Sequence, residues 1–196
     1  NHGTTTTSPV FPSPAALPPA GTTYEPAYAG KVNNAWANSQ SGTSQWISAN
    51  YVDPATGGQN QSIGYGDWYY RYQFTLDPAV DPSSFELDMS WLADNSVVGV
   101  WVNDQPQSGA NLPQSPANPY VGGGFLAGNE ATTSLTTNWR TGMNTILVQV
   151  KSFYTAEGFN AEVRSKVLCP DPAYTVSKSA SASTVTPGER LTYTVK

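Results

Sequence analysis

The chain has 196 residues and a formal net charge of −5, and charged side chains are only 12% of it, about half the usual share. Its nine Lys and Arg residues are scattered, which argues against a nucleic-acid surface, since phosphate binding needs clustered positive charge. No apolar run approaches the ~18 residues of a membrane-spanning helix, so no membrane insertion is expected.

Residues 1–22 are rich in Thr and Pro and are expected to form an extended, polyproline-like arm, either a secreted linker or a segment that docks on a neighbouring subunit through Val10, Phe11 and Leu17. The chain begins Asn1-His2-Gly3 rather than with Met, which is expected of an exported protein after signal removal and equally of a trimmed sequence. A globular part follows over residues 23–170. Residues 32–37 and 45–52 read as its first strands, separated by a polar Gly-rich loop from a stronger one over residues 68–76. There Trp68, Tyr70, Tyr72, Phe74 and Leu76 point one way and Tyr69, Arg71, Gln73 and Thr75 the other.

Asp77-Pro78 and Asp81-Pro82 break that strand. In the next, Phe85, Leu87, Met89 and Trp91 alternate with Glu86, Asp88 and Ser90. Residues 94–104 read as a polar turn, a strand and a second polar turn, with Val98, Val100 and Val102 on one face and Trp101 on the other. After a Pro/Gly/Asn loop come Leu135 and Trp139, a strand with Ile146, Val148 and Val150 inward, and a last strand alternating at Ala161, Val163, Ser165 and Val167. About eight strands of period two, with no apolar stripe of helical spacing, predict an all-β fold: a β-sandwich or jelly roll, with a barrel as the lesser alternative.

Residues 171–196 change style. Two strand-like runs flank Pro187-Gly188, and two strands alone are marginal in water, so Tyr174, Val176, Tyr193 and Val195 are expected to pair with something. The single Cys169 allows no internal disulfide and no thiolate zinc site; it reads as a small buried side chain, or else as one half of a disulfide between chains.

Two resemblances rest on these residues. Gln45-Trp46-Ile47, Tyr70-Arg71-Tyr72-Gln73-Phe74, Ala93-Asp94-Asn95-Ser96 through Val102-Asn103, and Gly142-Met143-Asn144-Thr145-Ile146-Leu147 follow in an order that resembles the galactose-binding-like jelly roll over residues 32–168, with Asp104 where that family usually has Gly. Residues 173–196, with Val185-Thr186-Pro187-Gly188-Glu189 and Leu191-Thr192-Tyr193-Thr194-Val195, resemble the start of the Ig-like conserved repeats of long bacterial surface proteins.

Together they imply a non-catalytic extracellular protein of the bacterial cell surface, either an adhesin head or a filament subunit joined through its terminal strands to copies of itself or to other surface-protein domains. The alternative is a carbohydrate-binding module of a larger secreted protein. The jelly-roll resemblance implies sugar binding by ring faces and polar groups, and the candidates are Trp101, Tyr69, Trp139 and Tyr120 with Asp94, Asn95, Asn103 and Arg140. No paired carboxylates, nucleophile or base stand out as an active site. No cofactor is expected either; a calcium ion would be sought at Asp53, Asp67 or Asp94, although no EF-hand spacing supports it.

Overall fold

The computed structural model describes residues 2–5, 15–31, 33–38, 44–50, 55, 66–107, 123–152, 156–167, 178–180 and 193–195. Twelve strands form among these residues: β1 (His2–Thr5), β2 (Tyr28–Ala29), β3 (Ile47–Ser48), β4 (Gly66–Leu76), β5 (Phe85–Asp94), β6 (Ser96–Val102), β7 (Gln105–Pro106), β8 (Ala131–Leu135), β9 (Gly142–Ser152), β10 (Gly158–Val167), β11 (Lys178–Ala180) and β12 (Tyr193–Val195). They make two five-stranded antiparallel sheets, in the orders β1-β4-β9-β6-β7 (sheet A) and β2-β3-β10-β5-β8 (sheet B), and a separate β11-β12 pair. The protein is all-β, and the two large sheets pack as a β-sandwich.

Alternation builds the core between them. Phe85, Leu87, Met89, Trp91 and Ala93 of β5 meet Tyr70 and Leu76 of β4, Val100 and Val102 of β6, and Ile146, Val148 and Val150 of β9, with Leu135, Trp139 and Phe159 completing the cluster. Burying each large apolar side chain contributes about 1.5–3 kcal/mol against the chain entropy that folding removes. Asp81, which accepts from Ser83 N at 2.9 Å, starts a single 3-10 turn over Pro82–Ser84, and no α-helix occurs among the described residues.

Three expectations change in detail. Residues 33–38 form a turn rather than a strand, and the described part of the 45–52 run pairs only at Ile47–Ser48. The turn stacks Trp36 against Trp46, with ring centroids 4.2 Å apart. Strict alternation also breaks in β6, where the pairing to β9 shifts between Val97 and Gly99, a β-bulge that leaves Val98 without a register partner. Tyr72 keeps its predicted direction beside Phe74 but is 51% exposed, because among the described residues β4 and β10 run past their short neighbours.

The arm does not stand apart from the sandwich. β1 pairs with the edge of β4 from His2↔Tyr70 to Thr5↔Asp67. Ala16 donates its N–H to Gln149 Oε1 at 3.0 Å and accepts from the Tyr69 hydroxyl at 2.9 Å. The Ala16 contacts place that residue on the outer face of sheet A. Val10, Phe11, Tyr174 and Val176 lie outside the described residues, Leu17 is 41% exposed, and Tyr193 and Val195 sit in β12 opposite Ala180 and Lys178.

Candidate functional site

The sugar-binding candidates fall in three separate places. Tyr69 and Trp101, 3% and 5% exposed, pack with Leu147 and Tyr24 on the outer face of sheet A. Trp101 does lie opposite the valine row, as alternation predicts, but other side chains cover its ring. The Arg71 guanidinium sits 4.0 Å over the Tyr24 ring and closes this patch. Burial pushes the Tyr69 phenol well above its usual range, as does the Asp67 charge to a lesser degree.

Asn103, Trp139 and Arg140 meet at one end of the sandwich. Asn103 and Asp104 both hold positive φ, 50° and 65°, in the two-residue turn from β6 to β7. Paired left-handed residues are what a tight hairpin needs, so Asp104 serves where a Gly would be ordinary. Asn103 Nδ2 donates to Asn138 O at 2.7 Å and to Asn144 Oδ1 at 2.9 Å, while Asn144 Nδ2 donates to Arg140 O at 2.6 Å. This clasp of amides closes loops on themselves. Trp139 belongs to the core, its indole N–H bonded to Leu135 O at 3.1 Å. Tyr120 lies outside the described residues.

Asp94 and Asn95 are at the other end of β6. Asp94 Oδ2 accepts the Trp36 indole N–H at 2.7 Å, and burial raises its carboxyl to about 7, with the Glu157 charge adding to the shift. Glu157 is itself fully buried. Its Oε1 accepts from the Ala49 and Asn50 N–H groups at 2.7 and 3.0 Å and from the Ser48 hydroxyl, and its Oε2 accepts from the Tyr70 hydroxyl. Burial raises the Glu157 carboxyl, and these donors offset part of that rise; burial and the neighbouring carboxylate push Tyr70 up as well. Such perturbed acids often mark a reactive site. Here every bond named runs inward to the fold's own backbone, hydroxyls or indole, so the arrangement clamps residues 36 and 48–50 onto sheet B. The lid above it is apolar: Trp36, Trp46, Leu92 and Ala156 with Phe125 and Ala37.

Asp67, a calcium candidate, is 2.5 Å from the fully buried Lys151 ammonium, and Asp53 lies outside the described residues. No three His, Cys, Asp or Glu side chains converge among the described residues in a way that could hold a metal.

The outer face of sheet B carries a polar groove. Outward residues of β5, β8 and β10 line a groove of about 790 Å³, among them Asp88, Ser90, Thr132, Ser134, Arg164 and Lys166. Lys166 Nζ lies 2.5 Å from Asp88 Oδ2, and Ser134 donates to Asp88 Oδ1 at 2.6 Å. These two bonds hold the Asp88 carboxyl below its ordinary range. The sequence offered a signal for this face, because Glu86 and Asp88 alternate outward on one strand and Glu162, Arg164 and Lys166 on another.

Among the described residues, one flank of the sandwich is open. A second pocket, about 300 Å³ and mostly apolar, is lined there by Tyr70, Tyr72, Ile146, Val148, Phe159 and Val163 among others. Beyond Tyr70 on β4 and beyond Phe159 on β10, no further strand pairs with the outer edge among the described residues. Comparison with protein-family models, with curated protein sequences and with solved structures found no match to this chain.

Proposed function

We propose that the chain is a non-catalytic module of an extracellular bacterial surface protein, a structural subunit that joins its neighbours by strand addition. The observation that carries this reading is the pairing of β1 with β4, in which the first residues of a Thr/Pro-rich arm already serve as an added edge strand. The same strand supplied by a second copy would meet the same backbone partners, which is the logic of domain swapping. The resemblances support the same reading, since they imply a galactose-binding-like jelly roll followed, over residues 173–196, by the start of an Ig-like repeat of bacterial surface proteins. Three of the aromatic candidates for sugar stacking, Tyr69, Trp101 and Trp139, are occupied in packing, which favours assembly over stacking-type sugar recognition at those rings.

The test is light scattering of the full chain over a concentration series, in reducing buffer so that Cys169 cannot link chains. Assemblies should grow with concentration, and Gly3→Pro/Thr4→Pro, which removes two backbone donors from β1, should reduce them to a small discrete species. Growth unaffected by the prolines, or a full chain that never assembles, overturns the proposal.

A second reading, a carbohydrate-binding module or adhesin head, is favoured by the hydroxyl- and charge-lined groove on sheet B. Glycan-array binding that is lost in Asp88→Ala, with the fold intact, would favour it.

A further inference from the structure

Among the described residues, no strand pairs with the outer edge of β10 beyond Phe159. Sheet edges in stable monomers are protected by inward-pointing charges, prolines or a covering element. Past Phe159, the inward residues of β10 are Ala161, Val163 and Ser165, and Val163 is 39% exposed at the mouth of the apolar pocket. No charge points inward there. The charges of this strand, Glu162, Arg164 and Lys166, all face outward, across from Ser90, Asp88 and Glu86 of β5.

We propose that two copies of this chain pair antiparallel through their β10 edges, about a two-fold axis at Val163. The spacing of the charges selects this register. With Val163 opposite Val163 of the second copy, Glu162 faces Arg164 of the second copy and Arg164 faces its Glu162, so opposite charges meet twice. A shift of one residue would set inward side chains against outward ones, which sheet pleating forbids. A shift of two centres the axis on Arg164: Glu162 then faces Lys166 of the second copy twice, but Arg164 faces Arg164, a like-charge contact that the Val163 register avoids.

Within each chain Arg164 Nη2 already lies 2.7 Å from Glu162 Oε1, with the Arg164 side chain 73% exposed, so the two pairs would merge into one four-residue cluster. On the inner face the two Val163 side chains would close the mouths of the two apolar pockets against each other. The β3 pairing at Phe159 limits the new contact to about residues 161–165, so the dimer is weak. It uses neither β1 nor the β4 edge, and so it stands or falls apart from the arm.

The experiment is sedimentation equilibrium of the full-length Gly3→Pro/Thr4→Pro chain in reducing buffer, at concentrations up to roughly 1 mM, where a weak dimer is populated. A monomer–dimer equilibrium is expected. Val163→Lys, which points a charge into the edge, should abolish it while the circular dichroism spectrum is retained. Arg164→Glu should weaken it about tenfold by opposing like charges at both pairs, and Glu162→Arg/Arg164→Glu should restore it, because the swap re-forms both cross-chain pairs. A chain that stays monomeric throughout overturns the proposal, as does a dimer indifferent to Val163→Lys or a charge swap that fails to rescue. Assembly of the unmodified chain that β1 prolines do not affect counts against the arm alone.

Discussion

Asp94 makes the fold more stable in mild acid, and the size of the effect follows from its surroundings. Its carboxyl is raised from an ordinary 3.8 to about 7 by burial, while the unfolded chain ionises near the ordinary value. Between those two pH values the folded state holds a proton that the unfolded state has lost. Stability from this group is therefore complete below about pH 4 and declines as pH rises towards 7. At 1.36 kcal/mol per pH unit the full span is worth about 4 kcal/mol, of which about 3 falls above pH 5.

For a chain of this size that corresponds to roughly 6–12 °C in melting temperature. The exposed Asp81 and Asp88, held below their usual range by hydrogen bonds from Ser83 and from Lys166 and Ser134, lose their partners' help only at more acid pH and do not mask the window. Glu157, also raised, adds in the same direction. The assay is thermal unfolding by circular dichroism from pH 5 to pH 8, on the natural chain and on Asp94→Asn, whose amide oxygen can still accept the Trp36 N–H. The natural chain should melt lower at pH 8 than at pH 5, and the variant should show a clearly shallower slope. Equal slopes, or a melting temperature that rises with pH, would refute the reasoning.

The remaining predictions concern packing. Trp101→Ala should destabilise by about 3–5 kcal/mol in denaturant unfolding, since it empties a buried patch; an unchanged midpoint would mean the ring is free on the surface. At Gly158 an added Cβ would lie 2.4 Å from the Trp36 ring, so Gly158→Ala should cost about 1–3 kcal/mol and blue-shifted tryptophan fluorescence should move to the red as the lid loosens. Lys151→Met, which leaves Asp67 half-buried beside an apolar chain, should cost about 3–5 kcal/mol, and adding Asp67→Leu should recover most of it in a double-mutant cycle.

How much of this was legible in the sequence depended on how local the cause was. The strand over residues 85–94 and its inward Phe85, Leu87, Met89 and Trp91 follow from alternation alone, as do Ile146, Val148 and Val150. Alternation gives direction but not cover. Tyr69 and Trp101 point away from the main core and would be surface residues on a bare sheet; Tyr24, from a segment that arrives from 45 or more residues away, buries them.

Tyr72 errs in the opposite sense, pointing inward yet exposed, with no strand among the described residues paired to its edge. Trp36 looked like part of a strand, but its place is set by Asp94, 58 residues on, and by the space that Gly158 leaves. Glu157 gave no sign at all: an acid before a glycine reads as a turn residue, and only the converging donors of residues 48–50 and Tyr70 explain its burial. Asn103 and Arg140 were rightly placed near turns, yet those turns lie at the far end of β6 from Asp94 and Asn95, so the candidates could not form one site.

The central claim is that terminal strands join one copy to the next. It is tested most directly by electron microscopy of the full chain at high concentration in reducing buffer, beside Gly3→Pro/Thr4→Pro. The account predicts strings or fibres with a sandwich-sized repeat from the natural chain and only small discrete particles from the proline variant. Separate particles from both, or identical fibres from both, would contradict it.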